Sequence, residues 1–163
     1  MKSLLLVRHA KSSWDFNVED FDRPLNDRGK RSAPEMAKRL MKKDIRIDAF
    51  ISSPANRALS TAQIFAEELG KKSKHILTNP SLYEAAAEDF FGVIEEIDDD
   101  HKTVAIFSHN PGITTFANSL TETVVDDMPT CAIFAIKADI DKWKHFREAK
   151  KEFWFFDYPK SEG

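Results

Sequence analysis

The chain of 163 residues has one cysteine and no apolar run long enough to cross a membrane. A single cysteine, Cys131, cannot form an internal disulfide, which excludes the class of small secreted domains held together by disulfides. The apolar residues 4–7 stop at Arg8, whereas a signal peptide needs ~7–15 apolar residues and a membrane span ~20. We therefore expect a soluble, cytoplasmic protein that does not contact membranes.

The sequence also lacks an excess of charge of one sign. Lys and Arg number 24 against 27 for Asp and Glu, so the net charge is -3 and no basic excess favours nucleic acid as a partner. No Gly-x-x-x-x-Gly-Lys or Gly-x-Gly-x-x-Gly loop is present for a nucleotide. The five histidines include no i, i+4 pair, and no Cys-x-x-Cys accompanies them. We expect neither a metal nor an organic cofactor.

What the chain does have is enough apolar material for a core. Hydrophobic residues make up 42% of the sequence, and 13 of them are phenylalanine. A chain of this length buries roughly 70% of its unfolded surface when it folds. Because no Gly-, Ser- or Pro-rich linker interrupts it, we expect one domain over residues 1–163.

Strand-like and helix-like segments alternate along the chain. Apolar or β-branched runs predict strands at residues 4–7, 48–52, 76–78, 103–107, 131–136 and 152–156, the last near a sheet edge. Apolar residues at helical spacing fill most of the intervals. This alternation predicts an α/β fold with three layers, in which a mainly parallel sheet has helices on both faces.

Several residues predict where the helices begin and end. Asn26 is the expected N-cap of the first helix, and Pro34 is expected to kink or split it. Ser53 is the expected N-cap of the second helix, with Pro54 at its first position and Gly70 just beyond its end.

Basic residues stand at the ends of three predicted strands. Arg8 and His9 directly follow the first strand, Arg57 lies just after the second, and His109 follows the strand at residues 103–107. Each alone has an ordinary explanation as a loop or surface residue. Ligands of open α/β sheets bind at the carboxyl ends of the strands, so parallel strands would bring all four together. Guanidinium forks suit a phosphoryl group, which makes a phosphate site the hypothesis.

Three blocks of sequence resemble the histidine phosphatase superfamily, which includes the cofactor-dependent phosphoglycerate mutases. They are Leu-Val-Arg-His-Ala-Lys-Ser-Ser-Trp at residues 6–14, Ser-Ser-Pro-Ala-Asn-Arg-Ala-Leu-Ser-Thr-Ala at 52–62 and Ser-His-Asn-Pro-Gly at 108–112. The short length, the segment Asp-Phe-Asp-Arg-Pro-Leu at 20–25 and the closing Tyr158-Pro159-Lys160 most resemble the SixA-like branch of protein histidine phosphatases. The resemblance spans residues 2–160 and implies a phosphoglycerate mutase-like fold.

The resemblance implies a role for each of the four basic residues. His9 would be the nucleophile, which carries a transient phosphohistidine that water then hydrolyses. Arg8, Arg57 and His109 would clamp the phosphoryl group, with His109 at least partly protonated there. The chain has Ala10 where many members have glycine, and Asp15 falls where the mutases have a phosphate-contacting asparagine, so that role is not carried over.

Two further residues have alternative interpretations. Glu84 lies at about the place of the mutases' acid and would be the proton donor, or else it is a surface glutamate. Arg23 would add another positive group for substrate binding, or else it forms an ion pair with Asp20 or Asp22.

The expected function is therefore a phosphatase that acts through phosphohistidine on His9. The short segments at residues 14–25 and 83–88 leave little chain for a lid, which favours phosphohistidine on a protein as the substrate. One alternative is a small-molecule phosphomonoesterase, in which Glu84 would be firmly engaged as the acid. Another is a catalytically dead module that recognises phosphate. We expect the protein to be a monomer.

Overall fold

A six-stranded sheet is the centre of the structure, a computed structural model that describes residues 1–15 and 17–159. Its strands in chain order are β1 (Lys2–Arg8), β2 (Ala49–Ser52), β3 (Leu77–Thr78), β4 (Thr103–Ser108), β5 (Ile133–Ala138) and β6 (Lys151–Asp157). The spatial order is β3-β2-β4-β1-β5-β6. The first four strands are parallel, whereas β5 runs antiparallel to β1 and β6 antiparallel to β5. The mainly parallel sheet is confirmed, and β6 lies at an edge.

Helices cover both faces of this sheet. They are α1 (Asp27–Lys42), α2 (Asn56–Glu68), α3 (Ala87–Glu95) and α4 (Gly112–Asn118). Alternate residues of β1 point to opposite faces. Leu4 and Leu6 belong to the core that α3 and α4 cover, and Leu5 and Val7 to the core that α1 and α2 cover. The predicted three-layer α/β fold is confirmed. Within the described residues, no helix is long and apolar enough to cross a membrane.

Pro34 does not split the first helix. Asn26 caps α1 as predicted, since its side chain accepts a hydrogen bond from the Gly29 N–H. The helix then runs unbroken through Pro34 to Lys42. Its buried residues lie on both sides of the proline and belong to one core cluster, so their burial outweighs the hydrogen bond that proline cannot donate.

The second helix begins later than the sequence predicts. Its N-cap is Ala55, and Pro54 precedes the helix. The N–H of Ser53 donates to the carbonyl of Phe107 (2.9 Å), which keeps Ser53 extended beside β4. The prediction of Ser53 as N-cap is therefore wrong. Gly70 does end the helix region, with the positive φ of 75° that glycine adopts without strain.

The segment Tyr158-Pro159-Lys160 follows β6. Tyr158 and Pro159 are described, and Lys160 lies outside the described residues.

Candidate active site

The basic residues predicted to form the site lie together at the carboxyl ends of the parallel strands. Arg8 is the last residue of β1, His9 follows it, and His109 follows β4. Arg57 lies in the first turn of α2, just beyond the end of β2. The imidazole rings of His9 and His109 are 5.2 Å apart, centre to centre. The parallel order of β2, β4 and β1 is what produces this convergence.

His9 is held in one tautomer. Its side chain is buried, and Nδ1 lies 2.8 Å from the carbonyl oxygen of Ala10. Because a carbonyl only accepts hydrogen bonds, Nδ1 carries the proton and Nε2 keeps its lone pair. Burial lowers the pKa of His9 to about 3, helped by the nearby charges of His109, Arg57 and Arg8. The ring is therefore neutral at pH 7, as a nucleophile must be.

The backbone around His9 is tied to three neighbouring elements. The N–H of His9 donates to the carbonyl of Ser108 at the end of β4 (3.1 Å). The carbonyl of His9 accepts from the N–H of Cys131, just before β5 (3.0 Å). The N–H of Ala10 donates to the buried hydroxyl of Thr61 in α2 (2.9 Å). These bonds fix the position of His9, and the sequence did not reveal this role of Thr61.

His109 is a second buried and neutral imidazole. Its Nε2 lies 2.8 Å from the hydroxyl oxygen of Ser53. Burial and then the positive charge of Arg57 lower its pKa to about 4. A phosphate dianion would act in the opposite direction. The protonation of His109 in a phosphate-bound site stays a prediction.

Three arginines at the site, Arg8, Arg57 and Arg23, each donate hydrogen bonds to protein oxygen atoms on one side of the guanidinium group. Arg8 donates through Nη1 to the carbonyl of Met128 (2.8 Å). Arg57 donates to Asp20 through both terminal nitrogens, to the carbonyl (2.7 Å) and to the carboxylate (3.0 Å). Arg23 donates through Nε to the other carboxylate oxygen of Asp20 (3.1 Å). Anchoring on one side leaves further N–H groups of each guanidinium for a ligand.

Four buried nitrogen atoms in this cluster have no hydrogen-bond partner among the described residues. They are Nε of Arg8, Nη1 of Arg23, Nε of Arg57 and Nδ1 of His109. A buried donor without an acceptor costs about 1–3 kcal/mol, and such groups in a native structure need an explanation. The three arginine N–H groups are donors, and Nδ1 of His109 is a donor when it carries a ring proton, so an anion rich in acceptor oxygens would supply acceptors for them.

Arg23 forms an ion pair with Asp20, which the sequence offered as the alternative to substrate binding. Its Nε lies 3.1 Å from Asp20 Oδ1, while Asp20 remains half exposed. The guanidinium also stacks on the exposed ring of Trp14, 3.4 Å from its centre. Since another nitrogen of the same group is unpartnered among the described residues, the ion pair and a substrate contact are compatible. Contact of Arg23 with substrate stays a prediction.

Glu84 lies on the wall of the cavity beside these residues. It is exposed and has a positive φ of 59°, a left-handed conformation that few residues other than glycine adopt. Its position is compatible with a proton donor, and this role also stays a prediction.

The walls of the site are connected by Asp20, which the sequence offered only as an ion-pair partner of Arg23, and by Tyr83, which it did not assign. The Tyr83 hydroxyl donates to the carboxylate of Asp20 (2.7 Å), and the Tyr83 ring makes edge-to-face contacts with His109 (5.5 Å) and Phe21 (5.2 Å). The two short segments expected to leave the site uncovered thus contact each other here. Asp20 and Tyr83 are 63 residues apart, so no local pattern could pair them.

A cavity of about 570 Å³ extends from Arg57 and His109. It is also lined by Tyr83, Glu84, the alanines at 85–87 and the start of α4. A Cβ on Gly112 would overlap the carbonyl oxygen of Ala85, so glycine permits the close approach that shapes this wall. In the part of the chain that the structure describes, no group of three or more His, Cys, Asp or Glu side chains is placed to hold a metal.

Comparison with known proteins identifies the family. Residues 4–126 match the model of the histidine phosphatase superfamily (branch 1), and the chain belongs to this superfamily. Phosphoglycerate mutase-like protein 4 of Arabidopsis thaliana is 35% identical over 94 residues, which are 56% of this chain. The matched segment is 40% of that plant protein's length.

Solved structures share the fold over nearly the whole chain. A SixA protein from Agrobacterium tumefaciens superposes with a TM-score of 0.82 at 23% identity, covering 98% of this chain and 99% of that one. The protein histidine phosphatase SixA complexed with tungstate has a TM-score of 0.82 at 19% identity, covering 96% of each chain. The predicted phosphoglycerate mutase-like architecture is confirmed.

Proposed function

We propose that this protein is a phosphatase that transfers a phosphoryl group to His9 and then to water, with phosphohistidine on a protein as its favoured substrate. The observation that carries the proposal is the set of four buried, unpartnered nitrogen atoms on Arg8, Arg23, Arg57 and His109, taken over the described residues. They lie in the same site as an imidazole whose Nε2 lone pair is free to attack.

The chemistry proceeds in two displacements at phosphorus. Nε2 of His9 attacks, so a new N–P bond forms while the bond from phosphorus to the leaving group breaks. Water then attacks the phosphohistidine, a P–O bond forms, the His9 N–P bond breaks, and the proton of the water passes to solvent. Arg8, Arg57 and His109 stabilise the charge on the three equatorial oxygens in both transition states.

The leaving group needs a proton in the first step. The imidazole of phosphohistidine leaves as a neutral ring when its other nitrogen carries a proton, and that nitrogen can take the proton from solvent near neutral pH, because the ordinary pKa of histidine is about 6.5. An alkoxide released from a phosphate ester needs a positioned acid. Glu84 on the cavity wall is the candidate for this acid. It would be needed for a phosphate ester and not for phosphohistidine.

The charges that line the cavity favour a substrate whose leaving group is an imidazole over one whose leaving group is itself an anion. Beyond Arg57 and His109, its charged lining residues in the described chain are Asp20 and Glu84, both carboxylates. The neighbouring surface is mainly alanine, at residues 85–87. A leaving group with its own carboxylate or phosphate would be repelled there, whereas a neutral or protonated imidazole would not.

The structural comparisons agree with this substrate class. One structure similar in fold is that of a protein histidine phosphatase with bound tungstate. Tungstate is a tetrahedral oxyanion of the type that the unpartnered donors of this site would accommodate.

The second candidate is a small-molecule phosphomonoesterase of the same superfamily. The position of Glu84 on the cavity wall favours it, as does the match to a phosphoglycerate mutase-like protein. A catalytically dead phosphate-binding module is less well supported, because the tautomer and neutral state of His9 are those of a nucleophile.

The test compares phosphate release from an N-phosphohistidine protein with release from an aryl phosphate ester. We expect wild type to act faster on phosphohistidine and to retain activity in EDTA, and His9→Ala to lose turnover of both substrates. His75→Ala, which changes an exposed histidine, is the matched control and should keep full activity.

Other outcomes would change the assignment. Faster turnover of the ester would favour the small-molecule phosphatase, and Glu84→Gln should then reduce its rate. No turnover of either substrate would favour the binding module. Loss of activity in EDTA would contradict the mechanism.

A further inference from the structure

Asp20 places a carboxylate on the positive groups of the proposed phosphate site. Its Oδ1 accepts from Arg23 (3.1 Å), its Oδ2 accepts from Arg57 (3.0 Å) and Tyr83 (2.7 Å), and its backbone carbonyl accepts from Arg57 (2.7 Å). One residue thus receives four hydrogen bonds from three side chains of the site.

The carboxylate of Asp20 is much more exposed than the two arginines that it contacts. The side chains of Arg57 and Arg23 are 7% and 8% exposed, whereas that of Asp20 is 49% exposed. Burial would raise the pKa of Asp20, but hydrogen bonds from Tyr83 and Arg57 outweigh it and lower the pKa. The charge is therefore present at neutral pH. It lies at the solvent side of two buried cations.

Such a carboxylate has an effect on ligand binding that an ordinary surface ion pair lacks. It accepts a hydrogen bond from Nη2 of Arg57, one of the groups that would clamp phosphate, while Nη1 donates to the backbone carbonyl of the same residue. It also places a negative charge 3.0 Å from Arg57 Nη2 and 3.1 Å from Arg23 Nε, two groups proposed to bind a phosphate dianion, and like charges repel strongly at short range.

We propose that Asp20 is the counter-anion of the phosphate site, which holds Arg57 and Arg23 in place and keeps the affinity for free phosphate low so that the product leaves. This inference rests on the proposed function. Asp20 is a positioning residue, because it acts through the arginines and through its charge.

The test measures binding of tungstate and of inorganic phosphate to wild type, Asp20→Asn and Asp20→Ala by calorimetry at low ionic strength. Both variants should bind these anions at least about tenfold more tightly than wild type. The gain should shrink at about 1 M NaCl, where charges are screened within about 3 Å. Added phosphate should also inhibit turnover by Asp20→Asn at lower concentrations than it inhibits wild type.

Asp22→Asn is the matched control. Asp22 lies in the same short turn and is exposed, and the described hydrogen bonds of the three arginines go to Met128 and Asp20. This variant should change anion affinity by less than about threefold, since its charge is not on the cluster.

The outcomes separate the two proposals. If wild type binds anions and both Asp20 variants bind them equally or more weakly, the counter-anion role is wrong and the proposed function stands. An equal gain in Asp22→Asn would also overturn it, since the effect would then be general charge. If neither wild type nor the two Asp20 variants bind tungstate or phosphate, the site does not hold a phosphoryl group and both proposals fail.

Discussion

Two regions of the same sheet differ in the residues that they bury. One is formed by the carboxyl ends of β1, β2 and β4, and the other by the antiparallel pair β5–β6. The strand ends bury His9, His109 and Arg57 and half-bury Arg8, with nitrogen atoms on His109 and both arginines that lack partners in the described chain. On β5 the buried residues are apolar, and Phe134 packs against Phe153 (5.3 Å) and Phe156 (6.1 Å) of β6.

This difference separates stability from function. Buried aromatic rings stabilise the fold by leaving water and by close packing. Buried donors without acceptors destabilise it, and they are kept where a ligand satisfies them. Substitutions in β5 and β6 should therefore lower the free energy of unfolding, whereas substitutions at the strand ends should lower the catalytic rate.

The largest expected effect on stability comes from a substitution in the antiparallel pair β5–β6. Phe134→Ala removes a fully buried ring and should lower the free energy of unfolding by about 3–5 kcal/mol, because a cavity remains. Urea unfolding measures this loss. At a temperature where the variant is folded, its kcat should equal that of wild type, and Phe134→Leu should lose less stability. A fall in kcat of the folded variant would contradict the separation.

Substitutions at the strand ends should lower the catalytic efficiency. Arg57→Ala should lower kcat/KM by about 10²–10³, by analogy with the loss of one oxyanion donor. Arg39→Ala is the control, because Arg39 is a surface arginine paired with Glu35 and Asp157 and lies outside the site. It should keep the wild-type kcat/KM. Equal losses in the two variants would show that Arg57 has no special role.

A smaller effect should appear in the pH dependence of stability. The pKa values of His9 and His109 are about 3 and about 4 in the folded chain, and close to 6.5 in the unfolded chain. Below pH 6.5 the unfolded chain binds protons that the folded chain does not. Stability is therefore full above pH 6.5 and falls with decreasing pH, by up to about 1.4 kcal/mol per pH unit for each histidine.

Urea unfolding between pH 7 and pH 4.5, in buffers free of phosphate and sulfate, measures this slope. His9→Gln and His109→Gln should each reduce it, and His75→Gln is the control for substitution of a surface histidine. An unchanged slope in both site variants would contradict the burial of two neutral imidazoles.

Much of the fold was predictable because its signals are local. The six strands occur along the chain near the positions that the sequence predicts, and the parallel arrangement of the first four follows from their alternation with helices. Helix boundaries were less predictable. Ser53 has the chemistry of an N-cap, but its backbone is paired with β4 and its hydroxyl lies against His109. Tertiary contacts outweighed the local preference.

The site was predictable in its main residues for the same reason. Arg8, His9 and His109 stand at strand ends in the sequence, and parallel strands must bring such ends together. Asp20 and Tyr83 give no such signal, because their roles depend on a contact between two loops. The ion pair of Arg23 with Asp20, by contrast, is local, and the sequence offered it as one of two interpretations.

The sequence by itself determined the order of strands and helices, the superfamily and the four basic residues of the site, since each of these depends on the residue types and their spacing. Only the tertiary structure decided the tautomer of His9, the burial that makes both imidazoles neutral, and the carboxylate of Asp20 on the arginines. These properties depend on distances between segments remote in sequence and on the exclusion of water, which spacing along a chain does not record.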